Sequence, residues 1–249
     1  MEQKFKLVIE YDGTAYHGWQ RQKSDRSIQA EIEKALTVMT RKAITLSASG
    51  RTDAGVHALG QVAHFTCETA IEPEAFHLGL NSLLLDDIVI KACENVPDTF
   101  HARYDARRKT YRYRILNRRV PTAVDNRYVW HIRQELQIGA MQSAAAQVVG
   151  EHDFKAFEGT GSPRTSTVRT IFRARLTQEP EGYLVFEIEG DGFLRYMVRN
   201  IVGTLVEVGR GKITPEGFKM ILESKDRDRA GATAPPQGLF LVSVEYEDM

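Results

Sequence analysis

One stretch of the chain, Ser49-Gly50-Arg51-Thr52-Asp53-Ala54-Gly55-Val56-His57-Ala58, brings together a carboxylate, a guanidinium, an imidazole and two glycines. It lies between two predicted strands, and two readings fit it. In one it is a tight turn in which Asp53 bonds its own backbone, as Asp does in many turns. In the other it is a shaped loop that presents Asp53 as a nucleophile, with Arg51 two residues away keeping the carboxylate ionised at neutral pH. Length favours the shaped loop, because a hairpin joining Ala48 to Gln61 would need only about 2 to 5 connecting residues.

Two further stretches carry groups suited to binding. In Arg107-Arg108-Lys109-Thr110-Tyr111-Arg112-Tyr113-Arg114, strand alternation sends Tyr111, Tyr113 and Ile115 to one face and Arg108, Thr110, Arg112 and Arg114 to the other. Such a strand is either a solvated basic edge above a core containing two tyrosines, or a surface where an aromatic stacks on an unpaired base while cations follow the phosphates. In Gly190-Asp191-Gly192-Phe193-Leu194-Arg195-Tyr196-Met197-Val198-Arg199-Asn200, a glycine turn feeds a very apolar helix. Arg195 and Arg199 are expected one turn apart on it, and an arginine on a largely buried helix is expected to pair with a carboxylate or a phosphate.

Composition restricts what this chemistry can be. The chain has 249 residues and a formal net charge of zero, so attraction to nucleic acid must come from local patches. The densest runs from His101 to Arg119, where Arg103, Arg107, Arg108, Lys109, Arg112, Arg114, Arg118 and Arg119 face only Asp105. Arg164, Arg169, Arg173 and Arg175 could extend it. The histidines show no metal-ligand spacing, and no Walker loop, dinucleotide fingerprint or nucleophile elbow is present, so neither metal nor cofactor is expected. Two cysteines make no disulfide framework, no apolar run reaches bilayer length, and Met1-Glu2-Gln3-Lys4-Phe5 lacks the apolar core of a signal peptide. A cytoplasmic protein with no membrane partner is expected.

Hydrophobic periodicity supplies the frame for these groups. Strands are predicted over 4–11, 44–48, 61–66 and 88–93, with helices opened by Ser27 and Pro73, giving the order βαββαβ. The pattern then repeats: a strand over 109–116, a helix near 138–149, strands over 168–177 and 183–189, a helix over 194–208 ending at Gly209, a short helix from Thr214-Pro215, and a strand over 239–246. The fold expected is α+β, two split-βαβ (ferredoxin/RRM-like) units joined through a mainly antiparallel sheet with a catalytic groove between them. The expected division is 1–105, carrying the aspartate loop, and 106–249, completing the site. Polar loops are expected at 159–163 and 227–236.

At this point the residues resemble a known family, the TruA-type tRNA pseudouridine synthases, over essentially the whole chain. Tyr11-Asp12-Gly13-Thr14-Ala15-Tyr16-His17-Gly18-Trp19-Gln20 looks like the family's opening strand and loop, and Gly50–Ala58 is similar to its catalytic loop. Lys109-Thr110-Tyr111-Arg112-Tyr113 matches the strand bearing its base-stacking tyrosine. The Gly192–Gly203 helix and Gly238-Leu239-Phe240-Leu241 match its C-terminal half, with Phe240 standing where tyrosine is more usual. The resemblance implies that Asp53 is the nucleophile, that Arg199 pairs with it, and that Tyr111 packs against the uracil while Leu239 lines the pocket. Arg51 and His57 are expected among the substrate-binding residues. It further implies isomerisation of uridines 38, 39 and 40 in the tRNA anticodon arm by a homodimer. The alternative from another class is a catalytically inactive RRM-like RNA-binding protein in which Tyr111 and Tyr113 both stack on bases.

Overall fold

The computed structural model describes residues 2–159, 161 and 166–247. Arg164 and most of the 159–163 loop lie outside the described residues. In chain order the elements are β1 (Glu2–Tyr11), α1 (Ile28–Thr40), β2 (Ser47–Ala48), β3 (His57–Glu68), α2 (Pro73–Leu83), β4 (Ile88–Val96), β5 (Arg108–Asn117), β6 (Trp130–Ile132), α3 (Ile138–Ala146), β7 (Gly150–Asp153), β8 (Val168–Gln178), β9 (Tyr183–Gly190), α4 (Met197–Gly209), α5 (Pro215–Ser224) and β10 (Leu239–Glu245). Residues up to Arg107, joined by those from Phe240 onward, form one compact unit, and Arg108–Leu239 form a second. Both are α+β, with strands that pair mainly antiparallel.

In the first unit the strand order is β4-β1-β3-β10, with β2 also on β3. This is the order a split βαβ unit requires, extended by β10, which runs parallel to β3 with Phe240 opposite His57. Alternation along β1 buries Phe5, Leu7, Ile9 and Tyr11. Phe5 packs its ring on Phe65 and Phe76 at 5.1 and 4.8 Å, and α1 buries Ile28, Ile32 and Leu36. The other face is closed by Val62, Val96, Phe100 and Ala102, with Val8, Val244 and Tyr246 against them.

The strand expected over 44–48 shrinks to Ser47–Ala48, for a definite reason. The Leu46 N–H donates to the buried Glu33 carboxylate at 2.9 Å, and its carbonyl accepts from the Gln29 amide at 3.1 Å. Side chains from α1 thus satisfy backbone groups that a longer strand would have paired in a ladder. β3, by contrast, starts four residues earlier than expected, at His57, so the aspartate loop is confined to 49–56.

The second unit orders its strands β5-β9-β8-β7, with β6 parallel to β5. One face of β5 and β9, with Tyr113, Ile115, Leu184, Phe186 and Ile188, is buried, and so are Met197, Ile201 and Leu205 of α4. α5 begins where its cap and proline predict, with the Thr214 hydroxyl accepting from the Gly217 N–H at 3.0 Å and Pro215 at the first turn. α4 differs from expectation. It starts at Met197, because Tyr196 adopts a left-handed conformation (φ 60°) that a helix interior cannot contain, and it includes Gly209 as its last residue.

The first unit also contains a pH-sensitive tie. His64 of β3, buried at 7% exposure, accepts a hydrogen bond from the Ala102 N–H at 3.2 Å, and its ring meets His101 edge-on. Burial, then the nearby His101 and Lys4, lower its pKa from 6.5 to about 4, against smaller opposing effects of a backbone hydrogen bond at Ser47 and of Asp105. A folded-state pKa below the unfolded value means that the unfolded chain binds the extra proton first, so this contribution is complete above the unfolded pKa and is lost as pH falls towards the folded one. Denaturant titrations should therefore show stability falling between pH 6.5 and about 4 by up to roughly 1.4 kcal/mol per pH unit from this group. The slope should be shallower in His64→Gln.

Candidate active site

The aspartate loop is shaped by a second loop that lies against it. Gly13 and Gly18, on either side of the short turn after β1, approach its backbone so closely that a Cβ on Gly13 would stand 2.0 Å from the Val56 carbonyl oxygen and one on Gly18 2.6 Å from that of Thr52. Gly18 in addition has φ +89°, which side-chain-bearing residues rarely adopt. Across this contact the Trp19 N–H donates to the Thr52 carbonyl at 3.1 Å and the Gly55 N–H to the Tyr16 carbonyl at 3.2 Å. Within the loop the Val56 N–H donates to the Asp53 carbonyl at 3.2 Å. From the strand side, Gln61 accepts from the Ser49 hydroxyl at 2.7 Å and donates to the Gly50 carbonyl at 3.1 Å. Both sequence readings therefore hold in part: there is a local turn at Asp53, inside a loop held from outside.

Asp53 is half-buried and Arg51 is exposed. Arg51 makes no hydrogen bond or ion pair among the described residues, so it does not form the pairing with Asp53 that their spacing suggested. His57 is 1% exposed and stacks on Phe240 at 4.8 Å. Its Nδ1 stands 3.1 Å from the Gly13 nitrogen and 3.0 Å from Asp12 Oδ1. It serves one of these at a time, accepting from Gly13 when the proton is on Nε2 or donating to Asp12 when it is on Nδ1. Either way His57 holds the second loop from beneath.

The second unit contains Tyr111, Arg199 and Leu239. Tyr111 is half-buried and set edge-on to Phe193 at 4.9 Å. Tyr113, its neighbour on the same face, is fully buried, and its hydroxyl donates to the Pro235 carbonyl at 2.7 Å. Tyr113 is thus core and cannot stack on a base, which removes the paired platform on which the inactive RNA-binding alternative relied. Arg195 and Arg199 do not share a helix face, since α4 starts between them, yet their guanidiniums lie over the Tyr196 ring at 4.9 and 5.0 Å. Arg199 also donates from Nε to the Ala234 carbonyl at 2.8 Å. Leu239, at the start of β10, is 5% exposed. An open cavity of about 430 Å³ is bounded by Glu158, Tyr196, Asn200, Arg227 and Thr233.

The basic strand is less free than its sequence suggests. Arg108 pairs with Glu189 at 2.8 Å, Arg112 with Glu187 at 2.9 Å and Arg114 with Asp125 at 2.9 Å. Arg173 of β8 lies 3.9 Å from Glu189 as well, and Arg169 donates to the Ser166 carbonyl. Arg119, Arg127 and Arg175 are exposed and have no such partner among the described residues. Glu187 and Glu189 could not be matched to these arginines in the sequence because β9 comes beside β5 only through the fold. Among the described residues, no three His, Cys, Asp or Glu side chains are grouped to hold a metal, and no helix is long and apolar enough to cross a membrane.

Residues 7–105 and 144–247 match the family described as tRNA pseudouridine synthase. The tRNA pseudouridine synthase A of Acetivibrio thermocellus is 49% identical over 241 residues, covering 97% of this chain and 98% of that protein. The same-named proteins of a Thermoanaerobacter species (48% over 240 residues) and of Clostridium acetobutylicum (47% over 241 residues) each match across at least 96% of this chain and 98% of their own length. The α+β fold and the held aspartate loop thus sit in a chain that aligns nearly end to end with these enzymes: the chain belongs to the tRNA pseudouridine synthase family.

The glycine contact gives a direct prediction. Gly18→Ala should cost about 1–3 kcal/mol of stability in chemical denaturation, from the positive φ and the collision with Thr52. Ala substituted at Gly139, where a Cβ meets nothing within 4 Å, should cost nothing comparable.

Proposed function

We propose that this chain converts uridines 38, 39 and 40 of the tRNA anticodon arm to pseudouridine, with the Asp53 carboxylate as nucleophile. Family membership makes it an isomerase that forms pseudouridine in tRNA. The positions and the residue roles are the proposal. The observation that carries it is the fixing of the backbone on both sides of Asp53, since a nucleophile held in place before substrate arrives avoids an ordering cost at the moment of reaction.

The reaction breaks the bond from C1′ to N1, turns the uracil and joins C1′ to C5. The C5 hydrogen leaves as a proton and N1 takes one up, so atoms and electrons balance with no oxidant or energy source. The target base must leave the helical stack, at a cost of a few kcal/mol. Stacking on Tyr111 returns about 1–3 kcal/mol of this. In this reading Arg199 supplies the positive charge that keeps Asp53 ionised, and Leu239 lines the uracil pocket. Arg51, exposed, meets RNA, and His57 contributes by holding Asp12 and Gly13 under the loop. A homodimer working in the cytoplasm, gripping the anticodon arm mainly through shape and phosphates, completes the proposal.

Two measurements check it. After incubation with purified protein, carbodiimide-dependent reverse-transcription stops should appear in unmodified tRNA at 38, 39 and 40 and nowhere else; conversion confined to other positions would refute the assignment. The salt dependence of tRNA binding separates free from paired cations. Arg175→Ala should flatten the log–log slope by roughly 0.7–0.9. Arg112→Ala, which removes a cation already paired with Glu187, should change it much less.

A further inference from the structure

The Tyr11–Gln20 segment carries part of the family resemblance and its backbone braces the aspartate loop, but its Tyr11 side chain has no role in the reaction as described so far. We propose that it is the mould of the aspartate loop, and that Tyr11, through its hydroxyl contact with Thr52, is a positioning residue for the reaction; this rests on the assignment of Asp53 as nucleophile.

Tyr11 ends β1 and is 3% exposed, with its ring 6.1 Å from that of Trp19, itself 2% exposed. Its hydroxyl lies 2.7 Å from Oγ1 of Thr52, which is 7% exposed and immediately precedes Asp53. Burial raises the Tyr11 pKa to about 12, so the phenol stays protonated at working pH and can donate throughout. Thr52 is then held twice, at its side chain by Tyr11 and at its carbonyl by the Trp19 N–H. Two residues beyond Asp53, the Gly55 N–H is held by the Tyr16 carbonyl. All three outside anchors come from the 11–19 segment, and they bracket the one residue whose carboxylate must meet the nucleotide.

The Tyr11 contact is the anchor that a side-chain change can remove without moving backbone. Tyr11→Phe leaves the ring against Trp19 but leaves the Thr52 hydroxyl without this partner, and Thr52→Val removes the other half. A carboxylate released from its geometry loses rate rather than affinity, because the tRNA is bound by surfaces elsewhere.

Steady-state release of C5 tritium from uridine-labelled tRNA tests this. Tyr11→Phe and Thr52→Val should each lower kcat by about 10- to 100-fold with KM within about twofold of wild type. The double variant should be no slower than the worse single one, because both remove the same interaction. It also leaves neither hydroxyl unpaired, and the Gln61 amide that faces the Tyr11 hydroxyl still donates to the Gly50 carbonyl, so it should unfold close to wild type while remaining slow, which a purely structural role would not produce. Thr52→Ser, which keeps the hydroxyl, should recover most of kcat. Unchanged kcat in Tyr11→Phe, or a loss of kcat that only tracks lost stability across the series, would overturn the positioning role while leaving the function intact. Absence of tritium release by the wild type would instead sink the functional reading, and the proposal with it.

Discussion

Backbone pressed against backbone at Gly13 and Gly18 is the contact from which the rest of the site follows. Two loops that approach this closely leave no room for a side chain between them, and their peptide groups can then bond directly, Trp19 to Thr52 and Gly55 to Tyr16. A loop long enough to present a carboxylate is normally mobile, because its own hydrogen bonds are few. Here a second loop supplies the missing partners, and β3 supplies more through Gln61. The half-buried aspartate thus sits on a loop held from both sides.

The charges of the second unit are arranged with similar economy. β9 places Glu187 and Glu189 between the arginines of β5 and β8, so that Arg108 and Arg112 are paired and Arg173 is drawn towards the same acids. Half-exposed ion pairs of this kind add little stability, but they remove cations from competition for phosphate. What remains is a smaller set of exposed arginines, among them Arg51, Arg119, Arg127 and Arg175, in a chain whose formal net charge is zero.

Much of the frame was legible because its signals are local. Alternation set β1, β8 and β9 to within a residue or two, and Pro73 and Thr214-Pro215 marked the starts of α2 and α5. Failures came where a distant group overrode the local pattern. Glu33 and Gln29 took the backbone bonds that would have lengthened β2, the left-handed Tyr196 delayed α4, and β6 and β7, three and four residues long, were too short to show a period. The candidate residues divide in the same way. Asp53, Tyr111 and Arg199 stand out in the sequence by type and motif. The burial of Tyr113 and the pairing of Arg112 could not be read there, because Pro235 and Glu187 are 122 and 75 residues away.

All of this converges on one carboxylate. The most direct test is tritium release from C5-labelled tRNA by wild type and by Asp53→Asn, with tRNA affinity measured for both in the same buffer. The wild type should turn over, Asp53→Asn should show no detectable turnover, and the two affinities should lie within a few-fold of each other. Comparable turnover by Asp53→Asn would contradict the assignment of Asp53 as nucleophile, since the loop would then hold in place a group that the reaction does not use.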